Sequence, residues 1–134
     1  MSANLDLARS IYADWERGDL RNTHWADPEI EYVAADGQEN KTWRGIPAMT
    51  EAWGAVLGAW RAYSVRAEEY RELDGQRVLV TIRAVGLGGT DGMAVEMRGA
   101  NIFQVHDGKV TRLVLYTDRD HALADLGLIP EGDA

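Results

Sequence analysis

The second half of the chain alternates apolar and polar residues in four runs that are separated by glycine-containing turns. The runs are YSVRAEEYREL (63–73), RVLVTIRAVGL (77–87), MAVEMRGANIFQV (93–105) and KVTRLVLYT (109–117). The three turns are DGQ, GGTDG and HDGK, and each contains Asp-Gly, which favours a hairpin between alternating runs. A period of two is typical of β-strands that bury one face. The pattern predicts a four-stranded antiparallel meander against which the rest of the chain packs.

The first half carries two helical patterns and two shorter strand candidates. Residues 4–17 place five apolar residues at helical spacing, namely Leu5, Ala8, Ile11, Tyr12 and Trp15. Residues 46–60 form a second apolar stripe, which consists of Met49, Trp53, Val56 and Trp60. A short helical turn is predicted before Pro28, strands are predicted over 29–36 and 41–45, and a last short helix is predicted over 120–126.

This order predicts a single α+β domain over residues 1–134, in which helices pack on a strongly curved, mostly antiparallel sheet. About three helices would enclose a pocket and give a cone-shaped α+β barrel whose interior is the natural ligand site. Five tryptophans and five tyrosines stand against one phenylalanine. These residues fit either a core or interface, or a roomy pocket that is lined by aromatic rings with a few polar groups.

Charge and composition exclude several kinds of partner. The chain has 22 acidic and 14 basic residues, a net charge of −8, and scattered arginines, so we expect neither nucleic acid nor a membrane as a partner. It lacks cysteine, which removes disulfides and thiolate chemistry and fits a cytoplasmic location. The N-terminus shows no signal-peptide pattern, and no apolar stretch approaches the ~20 residues of a membrane span. His24, His106 and His121 do not form a metal set, and we predict no metal.

Three segments together resemble one known family. They are WERGDL (15–20), WRGIPAMTEAW (43–53) and RGANIFQVHDGKVTRLVLYTDRDHALADLGL (98–128). Their order and spacing resemble the SnoaL-like branch of the nuclear transport factor 2-like superfamily, which includes ketosteroid isomerases, polyketide cyclases, limonene epoxide hydrolases and scytalone dehydratase. The resemblance implies a cone-shaped fold with a deep apolar pocket, and usually a homodimer that packs through the convex side of the sheet. Since one fold hosts unrelated reactions, function has to be inferred from the site.

Two residues are the candidate catalytic groups. The resemblance places Asn101 where ketosteroid isomerases carry a protonated aspartate, and its amide could donate to a substrate carbonyl. It places Asp118 where polyketide cyclases use a general acid/base. A structural role is also open for each residue. Asn101 could form hydrogen bonds with the backbone in the core, and Asp118 could cap the helix that follows it. Thr117 could cap the same helix instead.

Strand parity groups the side chains that could line a pocket. On the third strand of the meander Met97, Asn101 and Phe103 share one face, and on the fourth strand Tyr116 and Asp118 share another. We hypothesise that both faces line the cone. The residues predicted to bind substrate are Tyr12, Trp15, His24, Tyr32, Trp53, Met97, Phe103 and Tyr116. Tyr32 lies near the position where the isomerases place their base aspartate, which argues against their chemistry in its usual form.

The resulting hypothesis is a small-molecule enzyme that uses cofactor-independent acid/base chemistry on a hydrophobic, carbonyl-bearing substrate, as a cyclase, isomerase or dehydratase. Asp118 would move the proton while Asn101 and Tyr12 or Tyr116 bind the developing oxyanion. One alternative is a non-catalytic ligand-binding or dimerisation domain of the same fold. Another is an epoxide-hydrolase-type site, for which Arg112 and Asp118, roughly 20 Å apart at strand rise, do not suffice alone.

Overall fold

A computed structural model describes residues 3–17, 23–35, 41–58, 60–88 and 93–128, and all structural statements below concern these ranges. The helices are α1 (Ala3–Glu16), α2 (Ile46–Gly58) and α3 (Arg119–Asp125). The strands are β1 (Ala26–Ala34), β2 (Lys41–Arg44), β3 (Trp60–Glu72), β4 (Arg77–Gly88), β5 (Met93–His106) and β6 (Lys109–Tyr116).

All six strands form one sheet in the order β2-β1-β6-β5-β4-β3. The predicted antiparallel meander is confirmed as β3 to β6. Parallel pairing of β1 with β6 extends this meander, and β2 pairs antiparallel with β1 at the edge. The sheet stays open, and the described elements confirm the predicted cone-like α+β architecture.

The turn between β5 and β6 sets the pairing of these two strands. Asp107 and Gly108 have φ angles of 51° and 76°, so both central residues of the turn are left-handed. This backbone is the type I′ turn that Asp-Gly favours, and it matches the twist of the flanking strands. His106 therefore pairs with Lys109, as the sequence predicts for a two-residue hairpin.

Bulges interrupt the pairing of β3 with β4 and of β5 with β6. Glu68 is an extra residue in β3, because Ala67 and Glu69 pair with the consecutive residues Ile82 and Thr81. Thr111 is the corresponding extra residue in β6. A bulge increases local twist and shifts the register by one residue. These bulges are therefore a backbone cause of the curvature of the sheet.

The helices α1 and α2 pack on one face of the sheet, which we call the inner face. The buried residues of α1 are Ala8, Ile11, Tyr12 and Trp15, as its period predicts. They join the main core with alternate residues of β4, namely Val78, Val80, Ile82 and Ala84. The predicted apolar stripe of α2 extends past the end of the helix. Helix α2 ends at Gly58, and Trp60 is already the first residue of β3.

The predicted short second helix falls partly outside the described residues. Of its described part, residues 24–25 form a turn, and β1 begins at Ala26, three residues earlier than the predicted strand. Pro28 therefore lies inside a strand. Its missing N–H is tolerated because the pairing of β1 with β6 skips from Ala26 to Glu31.

The opposite face of the sheet, which we call the outer face, carries a smaller apolar cluster. Leu79, Ala100, Ile102 and Tyr116 are buried there with Ala122 of α3. Helix α3 thus packs on the outer face, although we expected the helices on one face. Arg119 fixes its first turn by donating to the Ile82 carbonyl at 3.1 Å and to Glu68, and this last bond lowers the pKa of the Glu68 carboxyl.

Within the described ranges, none of the helices is both long enough and apolar enough to cross a membrane.

Gly99 allows a close approach of two backbones, and this contact generates a stability prediction. A Cβ atom at Gly99 would clash with the Tyr116 carbonyl oxygen, which is backbone and cannot swing aside. We expect Gly99→Ala to lower the free energy of unfolding by about 1–3 kcal/mol, the range for overpacked sites. Urea denaturation followed by tryptophan fluorescence measures it.

Gly54, an exposed residue of α2, provides the matched control. Nothing lies within 4 Å of a Cβ placed there. Gly54→Ala should raise the free energy of unfolding by roughly 0.5–1 kcal/mol, because alanine is the better helix former. Equal stability of Gly99→Ala and the parent protein would contradict the proposed close approach.

Candidate functional site

A continuous cluster of aromatic rings lies on the inner face of the sheet. It consists of Tyr12, Trp15, Trp25, Tyr32, Trp53 and Phe103, which we call the aromatic interior. Five of these six residues were predicted from the sequence to bind substrate, namely Tyr12, Trp15, Tyr32, Trp53 and Phe103. Trp25 was not among the predicted site residues.

The rings meet mostly edge to face. Tyr12 and Trp15 have centroids 4.8 Å apart at 75°, and Trp15 meets Trp53 at 5.5 Å and 88°. Trp25 and Trp53 are stacked with centroids 6.0 Å apart. Tyr32 continues the series to Trp53. Such contacts contribute about 0.5–1.5 kcal/mol per pair beyond area burial, so the interior is held in a defined shape.

Asn101 brings one polar side chain to this apolar surface. It lies on β5 between Val80 of β4 and Leu115 of β6, and it is 6% exposed. Its Nδ2 donates to the hydroxyl oxygen of Tyr12, which is fully buried. Thr81 and Asn101 are the buried polar side chains of the described residues, and Thr81 pairs with Ala100 on the outer face. Asn101 and Tyr12 therefore place hydrogen-bonding groups within the aromatic interior.

The Tyr12–Asn101 pair suits the recognition of a carbonyl oxygen. A phenol and a primary amide are both donors as well as acceptors. When Nδ2 donates to the phenol oxygen, the phenol hydrogen points to a different acceptor. Donors in a water-poor site stabilise negative charge on oxygen more strongly than donors in water.

Trp15 carries a second polar atom into the same cluster. Its indole Nε1 is buried and has no hydrogen-bond partner among the described residues. Leaving a buried donor without an acceptor costs about 1–3 kcal/mol.

Tyr70 marks the side of the interior near α1 and β3. Its ring meets Tyr12 edge to face at 6.1 Å, and the Arg9 guanidinium lies 5.4 Å from its centroid. Burial raises the pKa of the Tyr70 phenol, helped by the nearby Glu16 carboxylate and opposed by Arg9. The phenol is therefore held in its neutral form.

The prediction that the Asn101 and Tyr116 faces both line the interior is wrong. Asn101 pairs with Leu115, whereas Tyr116 pairs with Ala100 on the outer face. The Thr111 bulge is the reason, because without this extra residue Asn101 would lie opposite Val114. Leu113 and Leu115 flank the interior instead, while Arg112, Val114 and Tyr116 belong to the outer face.

Asp118 lies at the start of α3 and is exposed. Its carboxylate accepts from the backbone N–H of Asp120 at 3.0 Å, and its φ and ψ of −118° and 113° are those of an N-cap. Of the two roles that the sequence left open, the structure therefore displays the capping role. Asp118 and Asn101 do not converge, because α3 packs on the outer face.

The remaining predicted residues divide between the two faces. Met97 is half-buried and packs on the inner core. His24 is exposed in the turn before β1, and its carbonyl accepts from the Lys109 ammonium. Tyr116 donates to Asp125 of α3 at 2.9 Å, and the His121 ring lies 5.5 Å from the Tyr116 ring. These last contacts fasten α3 to the sheet.

Sequence reasoning missed Trp25, Tyr70, Leu113 and Leu115. Tyr70 faces inward because the Glu68 bulge breaks the alternation of β3, so that Ala67 and Tyr70, three residues apart, share the inner face. Leu113 and Leu115 required the position of the Thr111 bulge. The sequence does not signal that position, because a β-bulge needs only one extra residue of almost any type.

Comparison with known proteins identifies the family. The family model described as SnoaL-like domain matches residues 8–113, which is most of the chain. This protein therefore belongs to the SnoaL-like family. The search of curated proteins gave no match.

Solved structures show the same fold at low sequence identity. TerC, co-crystallised with polyporic acid, is 21% identical with a TM-score of 0.75, and the match covers 93% of this chain and 98% of TerC. An NTF2-like protein of unknown function from Burkholderia pseudomallei is 17% identical with a TM-score of 0.77, with coverages of 92% and 97%. A candidate polyketide cyclase from Xanthomonas campestris is 18% identical with a TM-score of 0.70, with coverages of 92% and 96%.

The cap at Asp118 generates a prediction that separates stability from ligand binding. Asp118→Ala removes the acceptor for the Asp120 N–H and should lower the free energy of unfolding by about 1 kcal/mol. Asp118→Asn keeps an acceptor and should remain within a few tenths of a kcal/mol of the parent. Thermal and urea unfolding measure both. Loss of ligand binding in Asp118→Asn with unchanged stability would instead support a site role.

Proposed function

We propose that this protein binds an apolar, carbonyl-bearing small molecule in its aromatic interior and polarises the carbonyl through the Tyr12–Asn101 pair. The supporting observation is this single buried polar contact between α1 and β5, surrounded by aromatic rings. Polarising a carbonyl lowers the cost of removing a neighbouring proton, because the resulting enolate oxygen is bound more tightly than the ketone. That step is shared by isomerases and cyclases that use no cofactor.

Comparison with known proteins supports this class of function. A candidate polyketide cyclase is among the solved structures that share the fold of this chain, and TerC, another of them, was co-crystallised with polyporic acid. Apolar walls with a few convergent donors are typical of small-molecule sites. We infer that the substrate of this protein is likewise a small organic molecule that fits an apolar interior.

A non-catalytic binding protein of the same fold is the second candidate. One observation favours it: among the described residues no charged side chain is buried, so none of them is an interior base. Asp36, the first acidic residue after β1 in the sequence, lies outside the described residues. Proton exchange separates the two candidates, because a binding protein holds the ketone without accelerating loss of its α-hydrogen.

Binding is tested with 1-tetralone, an aromatic ketone, and naphthalene, which lacks the oxygen. Tyr12→Phe keeps the ring and removes the hydroxyl. We expect it to weaken 1-tetralone about fivefold, the equivalent of about 1 kcal/mol for one neutral hydrogen bond. Naphthalene should bind the parent protein and Tyr12→Phe with equal affinity. Isothermal titration calorimetry gives the dissociation constants.

Tyr70→Phe is the matched control, since it removes a hydroxyl at the side of the interior. Tyr70→Phe should leave the dissociation constants of 1-tetralone and naphthalene unchanged. Exchange of the α-hydrogens of 2-tetralone in D2O, followed by NMR, then tests catalysis. Acceleration that Tyr12→Phe reduces at least roughly tenfold supports an enzyme, because oxyanion donors typically contribute more than this. Binding without acceleration supports the second candidate, and failure of both ketones to bind rejects the proposal.

A homodimer that packs through the outer face is a further part of the proposed function. It is supported by the half-buried Val33 and Val114, which line a groove of about 260 Å³ with Ile102, Gln104 and Arg112. We expect a dimer in sedimentation equilibrium and a monomer for Val114→Glu, because a carboxylate would be desolvated in the interface. Retention of the dimer by Val114→Glu would place the interface elsewhere.

A further inference from the structure

The indole N–H of Trp15 is a hydrogen-bond donor that the proposed function does not yet use. Trp15 lies one turn after Tyr12 on α1, and it is 7% exposed. Its Nε1 donates to no acceptor in the described part of the chain. An indole has one donor and no acceptor, so only an oxygen or nitrogen with a lone pair can satisfy it.

Among the described residues around Trp15, none accepts a hydrogen bond from its N–H. Its ring is enclosed by four aromatic rings with centroids 4.8–6.2 Å away, which are those of Tyr12, Trp25, Trp53 and Phe103. Buried tryptophans normally find a partner for the N–H. This donor therefore lies where a bound molecule could present its own acceptor.

Trp15 and the Tyr12–Asn101 pair lie close enough together for one molecule to contact both. Tyr12 and Trp15 are three residues apart on α1, which puts them on the same side of the helix. Their rings are in direct contact, with centroids 4.8 Å apart. The two side chains that carry these donors are thus neighbours within the aromatic interior.

We propose that the ligand carries two acceptor oxygens, one bound by the Tyr12–Asn101 pair and the other by Trp15. This inference rests on the proposed function and narrows its substrate class to a flat, neutral dicarbonyl compound such as a diketone or quinone. Neutrality follows because no buried charge among the described residues could compensate a desolvated carboxylate or ammonium group. Trp15 becomes the residue that distinguishes dicarbonyl from monocarbonyl ligands.

The test compares 1,4-naphthoquinone, which has two carbonyl oxygens, with 1-tetralone, which has one. The chain has no cysteine to which a quinone could add. Trp15→Phe removes the N–H and part of the ring. Loss of ring area affects both ligands equally, so the ratio of their dissociation constants isolates the N–H. We expect the variant to weaken the quinone about fivefold more than the ketone, as for one neutral hydrogen bond.

Trp53→Phe is the matched control, because Trp53 lies in the same cluster and is half-buried. It should weaken both ligands by the same factor. An independent measurement is the indole N–H resonance of Trp15 in a ¹⁵N-correlated NMR spectrum, assigned by its loss in Trp15→Phe. A new hydrogen bond should shift this resonance with the quinone and leave it nearly unchanged with 1-tetralone.

The outcomes separate this inference from the proposed function. If 1-tetralone binds and responds to Tyr12→Phe, but Trp15→Phe weakens both ligands equally and the indole resonance responds to neither, the two-acceptor ligand is wrong and the proposed function stands. An ordered water on the indole would produce this result. If neither compound binds the parent protein, the proposed function fails and this inference fails with it.

Discussion

The register between β5 and β6 is the constraint on which the rest of the site depends. The type I′ turn at Asp107 and Gly108 starts the pairing, and the Thr111 bulge then shifts it by one residue. This shift turns Leu113 and Leu115 toward α1 and α2 on the inner face, and it turns Tyr116 toward α3 on the outer face. Because side chains alternate between faces, a single inserted residue decides the composition of both faces at once.

Among the described residues, the buried part of the inner face that results is apolar except at Asn101 and at the polar ends of its aromatic rings. Burying an amide is costly unless it is hydrogen-bonded, and Tyr12 provides that bond from α1. The same contact ties the first helix to the centre of the sheet. Stability and recognition thus depend on one pair, which is why ring-preserving substitutions are needed to separate them.

The outer face has a different role. Tyr116, Asp125 and Arg119 hold α3 against the sheet, and Asp118 caps its first turn. The candidate acid of the sequence is therefore part of the attachment of a helix. A carboxyl group at a strand-to-helix junction fits the sequence pattern of a catalytic acid/base and that of an N-cap equally well, since both roles need a carboxyl group at the same place.

The sequence by itself determined the order of the elements, the four-stranded meander, the buried face of α1 and the membership of Asn101 and Phe103 in one strand face. These features follow from periodicity and turn chemistry, which are local. Only the tertiary structure decided that β1 joins β6 in parallel, that α3 packs on the outer face, and that Asn101 meets Tyr12 rather than Asp118. Those contacts join residues far apart in the chain, and a one-residue bulge, invisible to any local pattern, selects among them.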